Sequence, residues 1–297
     1  MKKLTLLIAA VIYVAFNLSA ATNSGQLRTS QLFNFGWKFK AGELKEAYKP
    51  EYNDADWRAM DLPHDFQFDQ PWDQTASPAR GFKAMGEGWY RKSFKADPSW
   101  KGKRVLLDFE GIILIGDVWL NGKLIGGTDY GYLGFETDIS KLLNYDGDNL
   151  VAVRASTGST GGSRWYTGGG LYRDVHLVVK NDISIARHGI YITTPSIKTE
   201  KAEVSIQVEL DGFRGKENDL EIKAVLYGPD GKIVSETTTK APKRNKKLNN
   251  EVPLPLATVT NPKLWSCETP HLYTAVVTLT LDGKPVDQLS EKFGIRT

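Results

Sequence analysis

Thirteen consecutive residues, Ser163-Arg164-Trp165-Tyr166-Thr167-Gly168-Gly169-Gly170-Leu171-Tyr172-Arg173-Asp174-Val175, hold three aromatics, two arginines and three successive glycines. Glycines let the backbone take positive φ and let a partner approach closely. Trp and Tyr add flat apolar faces with polar edges. This is binding chemistry, suited to a sugar or to a tight contact between domains. Reaction chemistry is harder to find. The sequence contains no Gly-x-Ser-x-Gly, no phosphate-cradling glycine loop ahead of a helix, and no His-x-x-x-His or paired-cysteine metal spacing. His64, His176, His188 and His271 are scattered, and the 35 acidic residues nominate no acid/nucleophile pair. Neither a metal nor a cofactor is expected. Asn250-Glu251 imitates the acid/base pair of many glycosidases, but it follows a lysine-rich loop rather than a buried strand.

The elements that must position these residues read as short strands. Arg104 to Phe109, Asn149 to Arg154 and Asp174 to Val179 have strand composition with alternating sides. Asn121-Gly122 between Asp117–Leu120 and Lys123–Ile125 is the favoured two-residue hairpin turn. No helical period of useful length competes, so residues 26–180 predict an antiparallel jelly-roll sandwich. Trp37, Trp57, Trp89 and Trp119 lie in strand patterns and are expected in its core. Beyond a short linker at 181–187, Val204 to Leu210, Leu220 to Tyr227 and Tyr273 to Leu281 alternate strictly. They predict an immunoglobulin-like β-sandwich over 187–297. The class is therefore all-β. Seven of the eight tryptophans precede residue 170, so the two halves are built differently. Lys240 to Lys247, five of eight basic, reads as a solvated hairpin loop.

Lys2 and Lys3, the apolar run Leu4 to Phe16 and Ser19-Ala20-Ala21 predict an export signal over residues 1–21 and a periplasmic or extracellular location. Thirteen apolar residues are short against the roughly 20 that span a bilayer, so no membrane anchor is expected. Removing two lysines takes the formal charge from +3 to +1, which gives no electrostatic case for nucleic acid or an anionic membrane. Cys267 is the single cysteine, so stability must come from burial without an internal disulfide.

Motifs in order along the chain resemble the N-terminal portion of glycoside hydrolase family 2, the β-galactosidase, β-glucuronidase and β-mannosidase group. They are Phe33 to Phe39, Asp56-Trp57 with Leu62-Pro63-His64-Asp65, Gly88 to Lys92, Phe109-Glu110-Gly111, and Val118 to Gly122. Arg164-Trp165-Tyr166 with Gly170 to Val175, Pro262 to Ser266 with Pro270 to Tyr273, and Phe293 to Thr297 complete the series. The resemblance covers essentially everything after the signal and implies a jelly-roll, galactose-binding-like sugar domain, an immunoglobulin-like sandwich and a (β/α)₈ barrel with two catalytic glutamates. Phe293 to Thr297 is where such enzymes hand over to the barrel. The barrel is expected to be absent from this sequence, and with it the catalytic residues and hydrolysis by this chain alone. In relatives, jelly-roll loops close one side of the barrel's sugar pocket. The resemblance thus implies carbohydrate and a barrel as partners, with Arg164, Trp165, Tyr166, Gly168 and Gly170 at the rim, and Arg80, Phe82 and Lys83 in a second rim loop. The plain alternative is that Trp165 and Tyr172 pack the domain and Arg173 pairs with a core carboxylate. One departure stands out: many relatives of the β-galactosidase type carry Asp-Asn where Ser156-Thr157 follows Val153-Arg154-Ala155 here, so the resemblance does not by itself imply galactose specificity.

Overall fold

The computed structural model describes residues 27–158, 165–217, 219–242 and 250–296. The predicted export signal, Ser163, Arg164, Lys243 to Lys247 of the basic run, and Thr297 lie outside the described residues. The described chain folds into two antiparallel sandwiches in sequence.

The first pairs a four-stranded sheet with a six-stranded one. In the smaller sheet the order is Thr29–Leu32, Val175–Lys180, Arg104–Phe109, Phe135–Asp138; in the larger it is Arg58–Met60, Trp37–Ala41, Glu87–Lys95, Asp148–Ser156, Ile115–Leu120, Lys123–Thr128. Alternation supplies the core between them: Tyr90, Leu107, Phe109, Val118, Leu120, Val151, Val153 and Leu177 all point inward. The Asn-Gly hairpin forms as expected, with Asn121 and Gly122 both at positive φ. Three of the four tryptophans are buried, but not in one core. Trp37 lies between the sheets, whereas Trp57 and Trp89 form a separate cluster with Ala47. Arg91, buried in the same strand, reaches out to Asp54 Oδ2 at 2.7 Å and to the Lys49 carbonyl at 2.9 Å. It thereby binds residues 47–54 over that cluster. Trp119 is half-buried, with Trp89 stacked on one side and Tyr48 within stacking distance.

The second sandwich takes up the chain at Ser184, three residues ahead of the expected Arg187, because Ser184 and Ile185 already pair with Asp211 and Leu210. One sheet joins Ser184–Ile197, Lys201–Asp211 and Glu251–Pro253, with Ala257–Thr260 also on Lys201–Asp211. The other runs Ile233–Lys240, Leu220–Tyr227, Tyr273–Leu281, Lys284–Phe293. Their inner faces share one aliphatic core.

Charges close the junction between the two sandwiches. Arg28 grips Asp287 with two hydrogen bonds of 3.0 and 2.7 Å, and the Ile185 amide donates to the same carboxylate at 2.7 Å. Buried Lys180 meets Asp211 at 2.7 Å, and Arg104 joins that carboxylate at 3.2 Å. Arg187 pairs with Asp108 at 2.9 Å.

Candidate functional site: an aromatic rim pinned by Asp65

Two loops named from the sequence meet at one end of the first sandwich. The chain enters through His64 and Asp65, which precede a single helical turn, Phe66–Asp69. Asp65 caps that turn: Oδ1 accepts from the Gln67 amide at 3.0 Å. The same oxygen accepts from the Gly169 amide at 2.9 Å, and Oδ2 accepts from the Tyr166 hydroxyl at 2.7 Å. One carboxylate therefore anchors two loops about a hundred residues apart in sequence.

The glycines are needed for that approach. Gly168 sits at φ +75°, and a Cβ there would lie 2.7 Å from Asp65 Oδ2. Gly170, at φ +124°, would place a Cβ 2.3 Å from the Tyr90 hydroxyl and 2.7 Å from the His64 carbonyl. The backbone is zipped on both sides: Phe66 N to Gly169 O and His64 N to Leu171 O at 2.8 Å, and Gly170 N to Ile113 O at 2.9 Å. Gly168 and Gly170 are thus buried shapers of the loop.

On this frame Trp165 is 59% exposed and Tyr166 39%. Trp165 Nε1 donates to the Tyr132 hydroxyl at 3.4 Å, and Tyr130 meets Tyr132 edge to face at 5.8 Å. Gly81 lies against the Tyr166 ring, which brings the second loop alongside the first. Phe82, at φ +56°, is exposed there with Phe68 and Trp72. Lys83 takes a different part: it is buried, its ammonium donating to the Phe68 and Gln70 carbonyls beneath the Trp72 ring. It satisfies the end of the helical turn. The Arg80 guanidinium packs against the Met85 sulfur. Tyr172 serves domain packing, its hydroxyl donating to the Gly131 carbonyl at 3.0 Å. Arg173 is exposed and lies over the Tyr172 ring, 5.3 Å from its centre, rather than pairing with a core carboxylate. Residues 171–174 form no strand between the Gly170–Ile113 bridge and the strand Val175–Lys180, so no alternation carries Arg173 into the core that Leu171 and Val175 enter.

Asp65 and Asp69 are committed to structure. Asp69 accepts from His64 at 3.0 Å and pairs with Arg58, and those two partners hold its carboxyl below the usual range. Burial, reinforced by the hydrogen bond to Asp65, pushes the Tyr166 phenol well above its ordinary value, so it stays a donor. Among the described residues the site offers stacking faces, without a free acid and nucleophile facing one another. Asn250 and Glu251 lie elsewhere, on the outer face of the second sandwich, where Glu251 accepts from Gln207 at 2.6 Å. A recess of about 330 Å³ lined by Phe66, Gln70, Ala84 and Gly86 flanks the loops. A larger one, about 760 Å³, opens beside Lys101, Arg104 and Asp182 at the junction, away from the aromatic end.

Asp65, Tyr130 and Tyr132 belong to this site although the sequence reading did not place them in it. Tyr130-Gly131-Tyr132-Leu133-Gly134 carried a usable signal, aromatics between glycines with no strand alternation. Thr157, at the departure position, is buried and joins the two loops: it exchanges hydrogen bonds with Gly86, and its methyl abuts Gly169.

Comparison with known proteins places these domains. Residues 51–181 match the model for the sugar binding domain of glycosyl hydrolases family 2, and residues 184–296 match the model for glycosyl hydrolases family 2. A beta-galactosidase, BoGH2A, of Bacteroides ovatus is 33% identical over 268 residues, covering 89% of this chain and 31% of that protein. A putative beta-glucuronidase of Formosa agariphila is 33% identical over 98% of this chain and 27% of its own length. The crystal structure of a beta-glycosidase from Bacteroides vulgatus superposes with a TM-score of 0.82 at 31% identity, over 90% of this chain and 34% of that one. The chain spans about a third of the length of these relatives.

Proposed function

Because the chain belongs to glycosyl hydrolases family 2, we propose that it is the non-catalytic N-terminal part of an exported β-glycosidase, whose aromatic rim completes the sugar pocket of a catalytic barrel. The observation that carries this reading is the rim itself. Trp165 and Tyr166 stand exposed on a loop whose backbone is pinned by Asp65 and closed by Gly168 and Gly170. Such a surface presents flat apolar faces at little entropic cost, as recognition of a sugar or of a facing domain requires. The substrate class is a β-linked galactoside or glucuronide, the activities named for the relatives. Ser156-Thr157 in place of the Asp-Asn of β-galactosidase-type relatives favours selection by the barrel rather than by this rim.

The test joins this chain to the barrel portion of the Bacteroides ovatus relative and assays chromogenic β-galactosides and β-glucuronides. The chain alone is expected to be inert and the fusion active. Turnover by the purified chain alone, or a fusion whose kinetics ignore the rim, rejects the reading. The exposed aromatics also suit a free-standing carbohydrate-binding protein. Calorimetric titration with the same glycosides decides that version, since saturable binding without a barrel supports it and the absence of heat removes it. For export, N-terminal sequencing of the secreted protein should begin near Ala21 or Thr22; retention of Met1 would reject the signal.

A further inference from the structure

Two sequence motifs that the rim does not use, Phe109-Glu110-Gly111 and Arg173-Asp174-Val175, converge on one spot of the smaller sheet of the first sandwich. Glu110 follows the strand Arg104–Phe109, and Asp174 precedes Val175–Lys180, whose second residue is His176. The Glu110 amide donates to the Asp174 carbonyl at 3.0 Å, which locks the two backbones together. On the same side, His176 Nε2 lies 3.2 Å from Glu110 Oε1. Glu110, Asp174 and His176 each offer one ligand atom, all within 4.8 Å of one another.

We propose that Glu110, Asp174 and His176 bind a divalent cation of the zinc class, with water completing the coordination. Ligands about 2.0–2.2 Å from a tetrahedral metal lie roughly 3.4 Å apart, a spacing these half-buried side chains reach with small rotations. An imidazole with two carboxylates selects zinc or its first-row neighbours over calcium, which takes oxygen ligands. Two carboxylates also neutralise the ion's double charge. The surroundings orient the set. Buried Asn34 donates to Asp174 Oδ1 at 2.8 Å and accepts from the Val175 amide at 2.9 Å, the outer-shell support that metal-ligating carboxylates receive. Arg187, which packs near Glu110 across Gly134, pairs with Asp108 and so does not claim Glu110. The ion's role is that of a clip. It holds the segment leading out of the glycine loop to the neighbouring strand, and it is independent of whether the rim faces a barrel.

A simple Glu110–His176 ion pair is the competing account, and it gives Asp174 no part. The purified chain, stripped with EDTA and dialysed, is titrated calorimetrically with zinc, manganese and calcium chloride. Expected are one zinc ion per chain, weaker manganese, no calcium, a thermal midpoint several degrees higher with excess zinc, and visible absorption bands on adding cobalt. Asp174→Asn keeps the oxygen that Asn34 bonds, and it should weaken zinc at least about tenfold, as should His176→Ala. Absence of zinc binding, or zinc affinity unchanged in Asp174→Asn, overturns the proposal. If His176→Ala does not fold, as circular dichroism would reveal, Asp174→Asn decides alone.

Discussion

The strand Val175–Lys180 connects two surfaces built on opposite rules. At its start lies the aromatic rim, where large apolar rings stand in solvent and polar groups serve to hold the loops that carry them. At its end lies the junction, where Lys180, Arg28 and Arg187 each meet a carboxylate of a neighbouring strand or of the other sandwich. The junction is a finished contact: its charges are paired and largely withdrawn from water. The rim is preorganised, and its binding faces remain exposed. Burial and pairing at one end set the relative position of the sandwiches, whereas exposure at the other is what binding needs.

The junction should break hardest. Asp287→Ala leaves Arg28, only 11% exposed, without its carboxylate and the Ile185 amide without its acceptor. The expected cost is about 4 kcal/mol in urea unfolding. A loss below about 1 kcal/mol would mean that water replaces the carboxylate and that the junction is looser than its geometry. Next in size, Gly170→Ala forces a Cβ against the Tyr90 hydroxyl and the His64 carbonyl at a positive φ, for about 3 kcal/mol. That change tests the frame beneath the rim without touching an exposed ring.

Acid should act on the junction as well. Burial alone would raise the Asp211 carboxyl, but the hydrogen bond from Lys180 and the charges of Lys180 and Arg104 outweigh it and hold the value below the usual range. Asp138 is more exposed, and there too the raising effect of its partial burial is outweighed by the hydrogen bonds from Ser140 and Arg104, which hold the carboxyl low. A carboxylate lowered on folding contributes stability above its unfolded pKa, about 3.9, and loses it as pH falls through the folded value. The thermal midpoint should therefore be flat from pH 7 to about 5 and drop below about 4. A decline already complete at pH 5 would place the sensitive groups elsewhere.

What the sequence disclosed follows the same division. The sheets were legible because alternation in Val204 to Leu210 or Tyr273 to Leu281 is a local pattern, and the Asn121-Gly122 turn is specified by two residues. The rim loop was legible as composition, since three glycines among aromatics signal a shaped backbone. Its anchor was not: Asp65 lies 101 residues from Tyr166, and no local pattern announces a carboxylate shared between a helical cap and a distant hydroxyl. The inward turn of Lys83 was hidden for a similar reason, because the carbonyls of Phe68 and Gln70 recruit it only after the helical turn has formed.

The smallest effect on stability is the most informative about the rim. Trp165→Ala removes a ring that is 59% exposed, so unfolding free energy should change by no more than about 0.5 kcal/mol. In the barrel fusion, loss of a stacking face worth about 1.4 kcal/mol should raise KM for a chromogenic β-glycoside about tenfold. Little change in kcat is expected, because the ring lies on the binding side and offers no proton. Stability lost with KM unchanged would reverse the assignment and make Trp165 a packing residue. Both quantities unchanged would move the sugar contact to Tyr130 and Tyr132, the next exposed aromatics on the same surface.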